Sequence, residues 1–257
     1  MYLENLVFDA ADPQRLGHFW AAALGLVTLT DEADSFEARL FVTDGPVLDL
    51  CFQPVASPPH DPQRLVLGLN AAEPAGGLTG DGVIDSLLSL GARSAGDAPD
   101  DESWTMLLDP EGNAFRVLEP RAEFSGSGPV ATVSVEAHDV DVTAEFWHHL
   151  TGWDTVPTAH AHTLRHPSAH GPLLEIIPES APKSAGAKNR LHLDLRLEDG
   201  DNAEAAAVLV SELGGEEYDG GWGPLPWRTF RDPSGNEVCL LPVPETHPTT
   251  PSGAVPD

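Results

Sequence analysis

Three short apolar segments each carry a side chain of a type that can do chemistry. "RLHLDLRL" (Arg190–Leu197) alternates strictly, so that Leu191, Leu193, Leu195 and Leu197 share one strand face and His192, Asp194 and Arg196 the other. "LLEII" (Leu173–Ile177) puts Glu175 opposite Leu174 and Ile176, and "EVCLL" (Glu237–Leu241) puts Cys239 opposite Val238 and Leu240. The apolar faces must cover a core, so the polar side chains are expected to look into a cavity. An imidazole beside carboxylates can pass a proton in either direction near neutral pH. Imidazole, carboxylate and thiol are also the donors that zinc accepts.

Other candidates have plainer explanations. "HAHTLRHPSAH" carries His160, His162, His166 and His170, but Pro167 and the small residues around them read as a solvated hairpin. "FWHHL" puts His148 and His149 on the polar side of a helix with no partner in view. Trp20 and Trp147 fall on helix core faces, while Trp104 and Trp227 open hairpin strands. Trp222 lies in "DGGWGPLPW" (Asp219–Trp227), and with Trp227 it could stack on a flat ligand at a cavity mouth or anchor the loop. The chain contains no P-loop, HExxH, GxSxG or dinucleotide fingerprint.

The elements that must position these residues come as repeats. "DPQRLGHFWAAALGL" (Asp12–Leu26) matches "DVDVTAEFWHHLTGW" (Asp139–Trp153) at an offset of 127. "GPVLDL" matches "GPLLEI" and "RLVLGL" matches "RLHLDL" at 126, and "DPEGN" (Asp109–Asn113) matches "DPSGN" (Asp232–Asn236) at 123. The order is kept, so the chain is a tandem duplication. Within each half a strand, a helix and three strands occur twice. The first helix opens with Asp12 as N-cap and Pro13 and closes at Gly25. The spacing predicts further helices over Val83–Leu90, Val142–Leu150 and Ala203–Leu213. DPxGN reads as a tight turn between two strands, not as a catalytic loop. The expected class is α+β, four βαβββ units in two half-barrel domains. These span residues 1–120 and 130–244, with a Ser/Gly/Pro linker at 121–129 and a disordered Pro/Thr-rich tail at 245–257.

Composition narrows the partners. The chain has 257 residues with 41 Asp and Glu against 13 Lys and Arg, a net charge of −28. Such a surface repels phosphate backbones and anionic lipid, so no nucleic acid and no membrane is expected as partner. No apolar run is long enough to span a bilayer, and the start does not read as a signal peptide. Two cysteines make no disulfide framework, and the cytoplasm is the expected compartment. A small-molecule ligand and a monomer or homodimer fit this balance.

Paired βαβββ units, a "DP…FW…LG" helix and a closing DPxGN hairpin resemble the vicinal oxygen chelate superfamily, which contains glyoxalase I, the extradiol dioxygenases and the bleomycin-resistance proteins. "KNRLHLDL" (Lys188–Leu195) and "DPSGNEVCLL" (Asp232–Leu241) are most similar to its glyoxalase-like subgroup. The resemblance implies that each pair of units curves around a cavity, with metal ligands on the first and fourth strands of each unit. By position the second half offers Thr132, Glu175, His192 and Cys239, and the first half Asn5, Asp49, Val66 and Arg116. Val66 cannot coordinate a metal, and Asp49 and Arg116 are expected to pair in its place. Glu175 and His192 are expected in one cavity, with Cys239 beside them, Thr132 at the edge and Asp194 on the same face.

Three functions follow. The first is a metal-independent binder of a metabolite or drug-like ligand in the second-half cavity, with no cofactor. The second is a metal-dependent lyase, isomerase or dioxygenase using Glu175 and His192, its divalent metal held by Glu175, His192 and Cys239. The third is a metal-free enzyme in which Glu175, His192 and Asp194 do acid–base work.

Overall fold

The computed structural model describes residues 1–57, 62–73, 81–96, 104–158, 162–184, 186–220 and 223–244. The first unit comprises β1 (Tyr2–Ala10), α1 (Pro13–Leu24), β2 (Val27–Glu32), β3 (Ser35–Leu40) and β4 (Leu48–Pro54). The second has β5 (Leu65–Asn70), α2 (Asp81–Leu90), β6 (Arg93–Ser94), β7 (Trp104–Leu108) and β8 (Ala114–Leu118). The third has β9 (Val130–Ala137), α3 (Val140–Thr151), β10 (Asp154–Val156), β11 (Thr163–Arg165) and β12 (Leu173–Pro178). The fourth has β13 (Leu191–Arg196), α4 (Ala203–Glu212), β14 (Glu216–Glu217), β15 (Arg228–Arg231) and β16 (Glu237–Leu241). Among these residues no helix is long and apolar enough to cross a membrane.

The helix signals act as read. Asp12 accepts from the Arg15 amide at 3.0 Å, Pro13 takes the first turn, and Gly25 ends α1 with φ +64°. Asp139 and Gly152 do the same for α3. In each DPxGN turn the aspartate accepts two backbone amides, and the glycines adopt φ +85° and +82°. Asp109 and Asp232 also accept the indole N–H of Trp20 and Trp147, at 3.1 and 3.4 Å. The "FW" helix and the DPxGN turn therefore recur together because each supplies the other's buried hydrogen-bond partner.

The pairing of units departs from expectation. The strands form two eight-stranded sheets, β14-β15-β16-β13-β1-β4-β3-β2 (sheet A) and β10-β11-β12-β9-β5-β8-β7-β6 (sheet B). The first unit thus closes with the fourth, and the second with the third; neither half of the chain makes its own half-barrel. The chain changes sheet between β4 and β5 and again between β12 and β13, while the segment 121–129, with a 3-10 turn at Ala122–Phe124, joins two units of sheet B. Buried Arg64 ties the crossings together, binding Glu179 at 2.9 Å, the Asn236 side chain at 2.9 Å and the Glu136 carbonyl at 3.1 Å. One apolar core runs between the sheets, with Trp20 of α1 against Phe8 of β1 and Phe115 of β8.

A second correction concerns "HAHTLRHPSAH". Thr163 and Leu164 are fully buried in β11, hydrogen-bonded to β10 and β12, so among its described residues the stretch is solvated only at the turn around Pro167 and Ala169 that joins β11 to β12. His162 lies 3.5 Å from Asp141 and His166 bonds Ser168, while His160 lies outside the described residues.

Candidate functional site

Sheet A builds a buried polar cluster from three neighbouring strands. On β13 the leucines enter the core and His192 and Asp194 face the other way, as strand parity requires. Antiparallel β1 sets Asn5 opposite Asp194, and parallel β16 sets Cys239 beside it. The Asn5 amide donates to Asp194 Oδ2 at 3.1 Å. His192 Nε2 lies 3.4 Å from Asp194 Oδ1, a close contact without hydrogen-bond alignment. The ligand atoms of His192, Asp194 and Cys239 all lie within 4.8 Å of one another.

This cluster is short of partners. Asn5 Oδ1, Asp194 Oδ1 and His192 Nδ1 are buried without a hydrogen bond. Burial pushes the Asp194 carboxyl up to about 7 although Asn5 and Cys239 bond to it. Burial takes His192 down to about 3, with the Lys188 charge acting the same way. Burial, then the neighbouring Asp194, raises the Cys239 thiol. Burial of the site thus favours a neutral imidazole and a protonated thiol.

Two cavities, of about 360 and 280 Å³, adjoin on this face and share Gln53, Trp227 and Cys239. The first also touches Asn5, Glu37, Cys51 and Asp194; the second touches His192, Lys188 and Tyr218. Glu37, on β3, has its carboxyl raised by burial and then by the charge of Asp49. Lys188 pairs with Asp9, and Lys183 with Glu237 at 2.8 Å. The only two lysines of the chain are both clasped by buried carboxylates at this end of the sheet.

Sheet B carries a separate cavity of about 290 Å³, lined by Arg116, Thr132, Glu175, Trp104 and Phe124 among others. Ser134 donates to Glu175 at 2.7 Å, and the Arg116 guanidinium lies 5.4 Å from the Trp104 ring centre.

The expected site is therefore divided. Glu175 and Thr132 lie in sheet B, whereas His192, Asp194 and Cys239 lie in sheet A, so Glu175 and His192 do not share a cavity, and the set Glu175, His192 and Cys239 cannot hold one ion. Asp49 does not pair with Arg116: it takes a two-pronged bond from Arg39, at 2.8 and 2.7 Å, within sheet A. These displacements have one cause, the exchange of units between sheets. The same exchange brings Asn5 to Asp194, which the sequence reading kept in different halves. Trp227 lines both sheet A cavities, and Trp222 lies outside the described residues. Glu37, Arg39, Lys188 and Tyr218 were missed; the sequence signal available was the alternation of "SFEARL" (Ser35–Leu40), which places Glu37 and Arg39 opposite Phe36 and Ala38.

The architecture is shared with known structures. Glyoxalase I from Zea mays superposes with a TM-score of 0.62 at 14% identity, covering 94% of this chain and 92% of that one. A candidate dioxygenase from Bacillus subtilis gives 0.60 at 14% identity, covering 94% and 85%. At these identities the likeness concerns the fold. No curated protein matches the sequence. The Glyoxalase-like domain family is matched twice, over residues 5–118 and 132–241, and the chain belongs to that family.

Proposed function

We propose that the protein binds a small organic molecule on the open face of sheet A and holds a divalent metal ion at the floor of that site with His192, Asp194 and Cys239. The buried polar cluster carries this reading. Three polar atoms left unpaired at one spot cost about 1–3 kcal/mol each, and one cation can relieve them together. A nitrogen, an oxygen and a sulfur donor within 4.8 Å suit zinc. Asp49 is committed to Arg39, so the carboxylate of the set is Asp194. The sequence favoured a metal-free pocket because it grouped His192 with Thr132; the exchange of units supplies Asn5 and Asp194 instead.

A metal at this place would polarise a carbonyl or enolate oxygen of the bound molecule. The chain's own groups then divide the remaining work. Asn5 fixes the orientation of Asp194 through its amide. Glu37, whose carboxyl is raised by burial, takes or returns a proton from the opposite wall. Trp227 covers the space between the two cavities and keeps water from the cluster.

The test is metal content. Protein isolated without chelator should carry one divalent ion per chain, and cobalt titration of the stripped protein should give a thiolate charge-transfer band. Cys239→Ser should remove the band, and Asp194→Asn should weaken binding at least about tenfold. Protein that holds no ion and gives no band with cobalt overturns the metal site and leaves a metal-free binding pocket.

A further inference from the structure

The sheet B cavity lies outside the site just described. Of the charged side chains that line it, Arg121 and Glu123 pair with each other, while Arg116 and Glu175 do not meet. Arg116 enters from β8 and Glu175 from β12, with β5 and β9 between them. Three strand spacings put their backbones roughly 14 Å apart before the sheet's curvature is counted. Arg116 has no ion-pair partner among the described residues, and its Nε is buried without a hydrogen bond. Trp104 supports the guanidinium at 5.4 Å. Glu175 is nearly fully buried and is held at one oxygen by Ser134. Arg121 also lines the cavity but pairs with Glu123 at 3.5 Å, which leaves Arg116 as the lining cation with no ion pair among the described residues.

The floor between the two charges is kept low. A side chain at Gly68 would meet Thr132 Oγ1 at 2.4 Å and Leu118 Cδ1 at 2.6 Å. Leu118, Phe124 and Ile177 give the cavity an apolar lining, and its volume of about 290 Å³ suits a small ligand. It contains neither histidine nor cysteine, so nothing here duplicates the sheet A cluster.

We infer that this cavity is a second ligand site, for an amino-acid-like zwitterion with an apolar body. Arg116 receives the carboxylate, Glu175 receives the ammonium group, and the apolar lining covers the side chain. A guanidinium already stacked on a ring loses little freedom on taking a planar carboxylate. The acidic surface of the chain disfavours a plain anion, and a ligand without net charge avoids that repulsion. The site selects ligands by requiring both ends: a molecule lacking either group leaves the half-buried Arg116 or the buried Glu175 without a counter-charge.

Calorimetry on the full chain tests this with three probes: L-phenylalanine, 3-phenylpropanoate and 2-phenylethylamine. L-Phenylalanine should bind at least about tenfold more tightly than either single-ended analogue. Glu175→Gln should erase its advantage over 3-phenylpropanoate, and Arg116→Met should abolish its binding. Arg116→Lys, a milder change, should leave it measurable but weakened, which guards against a folding defect. Asp194→Asn, which weakens the sheet A site, should leave L-phenylalanine binding in sheet B unaltered, so failure of the metal site and failure of this site remain distinct. Absence of binding by all three probes overturns the assignment. So does an advantage that survives Glu175→Gln, or loss of binding in Asp194→Asn.

Discussion

Asp49 shows how one residue's partner changes the reading of a site. It is buried on β4, and a buried carboxylate must be paired or protonated. Position within the repeat pointed to Arg116, but the register of β3 against β4 sets Arg39 directly opposite Asp49. Arg39 is partly exposed, so the pair is worth less than a fully enclosed one. Removing Arg39 alone should destabilise the protein more than removing both, because Asp49 would stay buried alone. A double-mutant cycle of Asp49→Ala and Arg39→Ala should give a coupling of about 1–2 kcal/mol in denaturant titrations. Asp49→Ala and Arg116→Ala should add within about 0.5 kcal/mol. Coupling to Arg116 as strong as to Arg39 would contradict the pairing seen here.

At the scale of single elements, local chemistry was legible where it is self-contained. Caps and apolar spacing located α1 and α2, the repeat carried them over to α3 and α4, and the DPxGN turns located their hairpins, because each signal acts within a few residues. Strands β2 and β11 were not read. The side chains of β2 are mostly exposed, so the strand lacks apolar alternation, and β11 has three residues flanked by histidines. Close packing was hidden too. Gly17 sits mid-helix in α1, where propensity alone favours alanine by about 1 kcal/mol. Yet a Cβ there would fall 2.1 Å from the Phe36 ring. Gly17→Ala should therefore lower stability by about 1–3 kcal/mol instead of raising it. Its repeat counterpart on α3 is already Ala144, so the two helices approach their sheets differently. A thermal midpoint raised by Gly17→Ala would show that α1 can lift away at little cost.

For the molecule as a whole, the architecture was legible and the pairing of its parts was not. An offset of 126 makes β5 and β13 near copies, and β1 and β9 match at 127, so a first strand's sequence fits more than one partner. Hydrophobic alternation specifies a strand and its buried face, but not which equivalent strand lies beside it. The choice rests on the crossings after β4 and β12, which carry no strong local signal, as in proteins that exchange identical elements. That choice makes a testable difference. A fragment of residues 1–120 holds β1 without β13 and β5 without β9, leaving two apolar strands with open edges. It also holds Asn5 without His192, Asp194 and Cys239, so most of the sheet A cluster is missing. Neither 1–120 nor 121–257 should form a folded monomer. Because β5 resembles β13, β1 of one copy of 1–120 should take β5 of a second copy as its partner. Mixed together, the two fragments should give a one-to-one complex with the circular dichroism of the intact chain. Size-exclusion chromatography with light scattering distinguishes these states, and a cooperatively folded monomer of 1–120 would refute the exchange of units between sheets.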